Sequence, residues 1–144
     1  MGASAIVGVL ALTTIALSAE IALAQTPSAP PATNAPESLV LYFDLGSAEV
    51  RSQDEALLDQ ASRLNRDGNP IVMIVAGSAD TVGVPERNLL LSQQRADAVL
   101  RGLIARGIPA GRFQLVAKGE TEPAVATADD VSEQRNRRVE ITWR

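Results

Sequence analysis

One segment in the middle of the chain, residues 71–99, constrains its fold more than any other part. An apolar run rich in β-branched residues gives way to a short polar turn, and a helical pattern then begins. This order predicts a strand, a turn and a helix, with Asp80 just past the end of the strand. Asn88 and Arg95 are seven residues apart on the predicted helix, so their side chains lie on nearly the same face, two turns apart.

The side chains of Asp80, Asn88 and Arg95 offer a carboxylate, a neutral amide and a guanidinium close together. Such a set suits a ligand that carries an ammonium and a carboxylate on one carbon. The carboxylate of Asp80 would bind the ammonium, and Arg95 could bind the other group with two parallel hydrogen bonds. Asp80 and Arg95 also have purely structural interpretations. Asp80 could cap its own turn, and Arg95 could be a solvated helix cation or the structural partner of Asp80.

The motifs of this chain, taken in order, resemble those of the OmpA-like peptidoglycan-binding family, as in OmpA, Pal and MotB. The family pattern reads G-H-T-D-x-x-G and then N-x-x-L-S-x-x-R-A-x-x-V. The residues in register with it are Gly77, Asp80, Gly83, Asn88, Leu91, Ser92, Arg95, Ala96 and Val99. The opening Tyr42-Phe43-Asp44, Gly119-Glu120 and the closing N-R-R-V-E-I at residues 136–141 agree as well, so the resemblance covers roughly residues 39–143.

The resemblance implies a non-catalytic protein that binds peptidoglycan through the diaminopimelate of an uncrosslinked stem peptide. It implies that Asp80 takes the ammonium of the diaminopimelate, that Arg95 takes its carboxylate and that Asn88 hydrogen-bonds the stem. The backbone around Asp44-Leu45 and the N–H of Ala79 would close the site. Asp44 could instead do no more than end the first strand.

Two departures from the family pattern fall close to this site. The His-Thr pair of the family is Ser78-Ala79 here, and its Gly-Arg pair ahead of N-R-R-V is Ser132-Glu133. We expect the first change to weaken binding only mildly, because the backbone N–H of Ala79 is retained. The second change puts an anion in the place of a cation and could lower the affinity for an anionic stem.

The absence of cysteine and histidine excludes several classes of function. Without them, the common Ser-His and Cys-His catalytic arrangements and most zinc sites cannot be built, so we predict no metal and no cofactor. A Pal-type lipid attachment point is missing too. A wall hydrolase fits poorly, because a carboxylate beside a cation is a poor general acid. The alternative to wall binding is an envelope scaffold that keeps the fold and binds a protein partner.

Residues 1–24 are predicted to be a cleaved signal peptide. Residues 3–17 are largely apolar and uncharged, and Ala22-Leu23-Ala24 offers the small residues that a signal peptidase recognises. The alternative is a retained membrane anchor, but Glu20 interrupts the apolar run and leaves fewer than the roughly 20 residues that a span needs. We therefore expect export to the periplasm and association with the wall and the inner side of the outer membrane.

The rest of the chain is predicted to be a Pro/Ala-rich linker at residues 25–38 and one domain at residues 39–144. After removal of the leader, the chain keeps 13 basic residues and all but one of its 17 acidic residues, a net charge of about −3. This charge argues against a nucleic-acid partner. An outer-membrane or other envelope protein remains a possible partner.

Strand and helix signals alternate through the predicted domain. The predicted strands cover residues 39–43, 71–76, 113–117 and 138–143. The predicted helices run from a Ser-x-x-Glu capping box at Ser52 to Gly68, and from Pro85 or Glu86 to Arg106. This order predicts an α/β fold, an α+β sandwich in which two helices pack on one face of a mixed sheet.

Overall fold

A computed structural model describes residues 38–70 and 72–144 of the chain. The predicted signal peptide and nearly all of the predicted linker lie outside the described residues, so both stay predictions. In the part that is described, no helix combines the length and the apolar character needed to cross a membrane.

Alternating strands and helices build the domain, in the predicted order. The strands are β1 (Ser38–Tyr42), β2 (Met73–Gly77), β3 (Phe113–Ala117) and β4 (Arg138–Trp143), and the helices are α1 (Glu55–Gly68) and α2 (Pro85–Ala105). The sequence gives the bounds of β3 and β4 correctly and places the ends of β1, β2 and α2 within two residues.

The predicted capping box at the start of α1 is wrong. Residues 52–54 form a 3-10 turn instead, and neither this turn nor α1 has a side-chain cap. The carboxylate of Asp54 accepts a hydrogen bond from Nε of Arg51 at 2.8 Å. Asp54 therefore does not cap the first N–H groups of α1. The glutamate of the predicted box, Glu55, accepts a hydrogen bond from Nη2 of Arg106 at 2.6 Å instead.

The last strand of the chain lies between the first two, and this topology positions the site. The strand order is β1-β4-β2-β3, with β4 antiparallel to both of its neighbours. The strands β2 and β3 are parallel and are joined through α2. The result is the predicted mixed sheet.

The core lies between the sheet and the two helices. Burial alternates along β1 and β4, as expected of strands with one covered face. The strand residues of the core are Leu39, Leu41, Met73, Val75, Val139 and Ile141, and the helix residues are Leu58, Ala61, Ala96, Val99 and Leu103. These residues form one cluster, so both helices pack on the same face of the sheet.

Gly77 allows α2 to pack directly against the end of β2. A Cβ atom at this position would overlap the backbone carbonyl of Ser92 and would lie 3.2 Å from the Cβ atom of Ala96. Since backbone atoms of a helix cannot move aside cheaply, only glycine allows this approach. The close packing holds the turn that carries Asp80 against α2.

We predict that Gly77→Ala lowers the free energy of unfolding by about 3 kcal/mol, because it overpacks this contact. The matched control is Gly68→Ala at the end of α1, where a Cβ atom meets open space. This control should change stability by about 0.5 kcal/mol, in the stabilising direction. Urea denaturation of both variants measures the difference, and equal midpoints would contradict the packing argument.

Candidate ligand-binding site

The candidate site lies where the ends of β1 and β2 meet the start of β4. The backbone N–H of Phe43 donates to the carbonyl of Arg137, and that of Ser78 donates to the carbonyl of Arg138, both at 2.8 Å. Because β4 runs antiparallel to both strands, its first residues lie beside the last residues of each. The loops that follow β1 and β2 therefore begin side by side.

Arg95 of α2 is fully buried and ties these two loops together. Its Nε donates to the carbonyl of Ser47 at 2.8 Å, its Nη1 to the carbonyl of Ser78 at 3.1 Å and its Nη2 to the carbonyl of Asp44 at 3.1 Å. The guanidinium carbon lies 5.5 Å from the centre of the Phe43 ring, within cation–π range. One N–H remains on each terminal nitrogen.

Burial lowers the pKa of Arg95 to about 10, while the charge of Asp80 acts in the opposite direction and that of Arg137 adds to the lowering. Arg95 therefore keeps its positive charge at pH 7. The interpretation of Arg95 as a solvated helix cation is wrong, because its side chain has no exposure to solvent. A buried cation of this kind must be balanced by the carbonyl dipoles and the carboxylate around it.

Asp80 lies just past the end of β2, as predicted, and is only 3% exposed. Its Oδ2 atom accepts a hydrogen bond from Nη1 of Arg137 at 2.9 Å and another from the backbone N–H of Glu133 at 3.2 Å. The second oxygen, Oδ1, has no hydrogen bond to any of the described residues. The direct ionic partner of Asp80 is thus an arginine next to β4 and not the arginine of α2, which the sequence had left open.

Arg137 is a functional candidate that sequence reasoning missed. The sequence shows arginines at residues 135, 137 and 138, but its local pattern gives them no link to Asp80. In the structure Arg137 is 9% exposed, and it also donates to the carbonyl of Phe43 at 3.0 Å and to the hydroxyl of Ser132 at 2.8 Å. The signal in the sequence that could have pointed to Arg137 is its position directly before the predicted last strand.

The carboxylate of Glu133 does not stand as a free anion beside the site. It accepts hydrogen bonds from the backbone N–H of Arg135 at 3.0 Å and from that residue's Nε and Nη2 at 3.0 and 3.3 Å. The hydrogen bonds from Arg135 lower the pKa of Glu133. Because the two charges are paired, Glu133 should repel an anionic stem less than an unpaired carboxylate would, and the effect of this departure on affinity stays a prediction.

Asn88 lies on the face of α2 that it shares with Arg95, as predicted, and is 2% exposed. Its amide nitrogen donates to Oε2 of Glu120 at 2.7 Å. The N–H of Gly119 next to it donates to the hydroxyl of Ser92 at 2.9 Å. The loop after β3 is therefore tied to α2, and Glu120 is a second residue to which the sequence assigned no role.

A small open cleft of about 170 Å³ contains the side chains of Asp80 and Asn88. The rest of its lining is formed by Leu45, Gly46, Val82, Gly83, Arg87 and Leu91. This volume is below the about 300 Å³ of pockets that hold a drug-sized ligand, so the cleft suits the end of one side chain. Asp80 is its only acidic lining residue, and among the described residues no three acidic side chains are grouped as a metal site requires.

Of the other three residues predicted to contact the ligand, Leu45, Asp44 and Ala79, only Leu45 lines this cleft. Leu45 is 56% exposed. The side chain of Asp44 is exposed and borders a separate depression beside Arg51. Ala79 is buried, and its backbone N–H donates to the carbonyl of Gly119 at 2.7 Å. A ligand contact through the N–H of Ala79 would have to break that hydrogen bond.

A family model described as the OmpA family matches residues 42–137. The chain belongs to the OmpA family. A peptidoglycan-associated lipoprotein of Pasteurella multocida is 32% identical to it over 103 residues, and the match covers 72% of this chain and 69% of that protein. The membership predicted from the motifs is therefore confirmed.

Solved structures agree with the OmpA-family assignment. The peptidoglycan-associated lipoprotein of Burkholderia pseudomallei superposes with a TM-score of 0.68 at 31% identity, over 73% of this chain and 89% of that one. The cell wall anchor of the T6SS from Pseudomonas aeruginosa superposes with a TM-score of 0.59 at 32% identity, over 74% of this chain and 79% of that one. The predicted fold, a mixed sheet with two helices, is confirmed.

We predict that Arg95→Met lowers the free energy of unfolding by about 3 kcal/mol or more. Three backbone carbonyls lose their donor, at about 1–3 kcal/mol each, and relief from burying a charge returns part of this sum. The control is Arg101→Met on the same helix, where the arginine is exposed. Arg101→Met should change stability by about 0.5 kcal/mol or less in the same urea titration followed by circular dichroism. If both variants unfold at the same urea concentration, Arg95 does not hold the loops together.

Proposed function

We propose that this OmpA-family domain binds peptidoglycan without catalysis and thereby anchors or organises the bacterial envelope. Two of the similar proteins are named as peptidoglycan-associated and a third as a cell wall anchor. The observation that carries the proposal is the Asp80 carboxylate, which lines the cleft with one oxygen fixed by Arg137 and the other free of hydrogen bonds to the described residues. The ligand we propose is the diaminopimelate of an uncrosslinked stem peptide.

The ammonium of the diaminopimelate binds Oδ1 of Asp80. Arg137 holds the opposite oxygen at 2.9 Å, so the carboxylate has a fixed orientation before the ligand arrives. A hydrogen bond between an ammonium and an oriented carboxylate is among the stronger polar contacts in proteins. Since Asp80 is only 3% exposed, the contact also forms away from bulk water, where charges attract more strongly.

The balance of buried charge favours a ligand that carries a carboxylate on the same carbon as its ammonium. Arg95 and Arg137 are two buried cations around the single carboxylate of Asp80, a formal excess of one positive charge. A simple amine would add to this excess, whereas a group with an ammonium and a carboxylate leaves it unchanged. Arg95 takes the carboxylate through the N–H groups that its bonds to Ser47, Ser78 and Asp44 leave over. Because Arg95 is fully buried, this contact requires the loop after β1 to shift.

Asn88 contributes the hydrogen bond to the peptide stem. Glu120 holds its amide nitrogen, which leaves the amide oxygen to accept from a stem N–H. With Asp80 as the only acidic residue of the cleft, the pair of carboxylates that a glycosidase uses is missing from its lining. Binding without bond cleavage is the function that this set of groups supports.

We propose a periplasmic location for the domain, with export directed by a cleaved leader at residues 1–24. The wall itself, or an envelope protein, would then retain the domain. A second candidate function is docking to such a protein partner. The observation that favours it is a set of exposed apolar side chains: Val84, just before α2, is 58% exposed, and Leu89 and Leu90, on the first half of α2, are 50% and 55% exposed.

We predict that Asp80→Asn reduces binding to purified sacculi at least tenfold, about the low end of the cost of removing one partner of a desolvated charge pair. The control is Asp97→Asn on the outer side of α2, where the carboxylate only pairs with Arg101 at 3.2 Å. Co-sedimentation with sacculi, at a temperature where circular dichroism shows both variants folded, provides the comparison. Equal retention of both variants would refute the role of Asp80.

Competition tests the ligand without any substitution. Soluble meso-diaminopimelate should release the wild-type domain from sacculi, whereas lysine, which has the ammonium without the adjacent carboxylate, should release much less. If neither compound releases the bound domain, diaminopimelate is not the recognised group. Retention that depends on added envelope proteins and not on the wall would support the docking function.

A further inference from the structure

We propose that Arg87 adds to the specificity of the cleft by binding, from its open side, the same ligand carboxylate that Arg95 takes from the buried side. The inference rests on the proposed function, because it assumes that the ammonium of the same group binds Asp80. It adds a residue that neither the motifs nor the family match points to. If it holds, this chain distinguishes diaminopimelate from lysine with a side chain of its own.

The position of Arg87 supports a direct contact. Its side chain lines the same small cleft as Asp80 and Asn88 and is exposed to solvent. Arg95 has no exposure and is not part of the lining, and each of its nitrogens already donates to a carbonyl. The cation that an entering ligand meets first is therefore Arg87.

Stability does not account for an arginine at this place. Arg87 lies in the first turn of α2, where the helix dipole disfavours a positive charge. It forms no ion pair and no side-chain hydrogen bond with any of the described residues. Arg101 near the other end of the same helix, by contrast, pairs with Asp97 at 3.2 Å. An unpaired guanidinium beside a cleft is free to bind an incoming anion.

The carboxylate of Asp80 and the guanidinium of Arg87 together fit one end of diaminopimelate. The carboxylate and the ammonium of the distal centre of diaminopimelate share one carbon, so a carboxylate lies next to any ammonium that binds Asp80. A guanidinium can hold that carboxylate with two parallel hydrogen bonds. A lysine side chain ends in the same ammonium but has no carboxylate there, so it gains nothing from Arg87.

The experiment measures the affinity of two soluble stem tripeptides that differ only in carrying diaminopimelate or lysine at the third position. NMR titration of wild type, Arg87→Gln, Arg87→Lys and Arg101→Gln gives eight dissociation constants. We expect Arg87→Gln to weaken binding of the diaminopimelate peptide about tenfold, the loss of one charge-assisted contact, and to leave lysine peptide binding within about twofold. The affinity of Arg87→Lys for the diaminopimelate peptide should lie between those of wild type and Arg87→Gln. Arg101→Gln should bind both peptides as wild type does.

The outcomes separate this inference from the function on which it rests. If wild type prefers the diaminopimelate peptide, Asp80→Asn abolishes that binding and Arg87→Gln keeps the full preference, the role of Arg87 is refuted and the function stands. An equal loss for both peptides in Arg87→Gln also refutes it, since the residue would then act only through its general charge. If wild type binds neither peptide, the proposed ligand and the inference fall together.

Discussion

The buried guanidinium of Arg95 is the interaction on which the rest of the site depends. It reaches from α2 to the loop after β1, where it binds two carbonyls, and to the end of β2, where it binds one. Burial lowers its pKa to about 10, yet it stays charged at neutral pH and needs negative partners around it. Asp80 supplies the formal charge, so the carboxylate that we propose for ligand binding is also part of what keeps this cation inside the protein.

The topology explains why these groups meet. Insertion of β4 between β1 and β2 brings Arg137, just before β4, to the place where the other two strands end. One oxygen of Asp80 is thereby fixed, and the other has no hydrogen bond to the described residues. In the function that we propose, stability and recognition share residues, and a substitution inside the charge cluster changes both. Arg87 is different, because it borders the cleft without any bond to the cluster.

Local patterns predicted most of the fold and half of the site. The helical period of α2 placed Asn88 and Arg95 on one buried face, and the apolar run before Gly77 placed Asp80 past a strand end. The roles of Arg137 and Glu120 depend on contacts across 57 and 32 residues of sequence, which no local period encodes. The capping box failed because its glutamate, Glu55, pairs with Arg106 at the end of the other helix, at 2.6 Å, and not with the backbone of Ser52.

A crystal structure of the domain with bound meso-diaminopimelate tests the central claim most directly. The account predicts that the ammonium of one end lies about 3 Å from Oδ1 of Asp80, while Arg137 keeps its bond to Oδ2. The carboxylate on the same carbon should contact a guanidinium. A ligand bound outside this cleft, or one whose ammonium faces solvent and makes no contact with Asp80, would contradict the account.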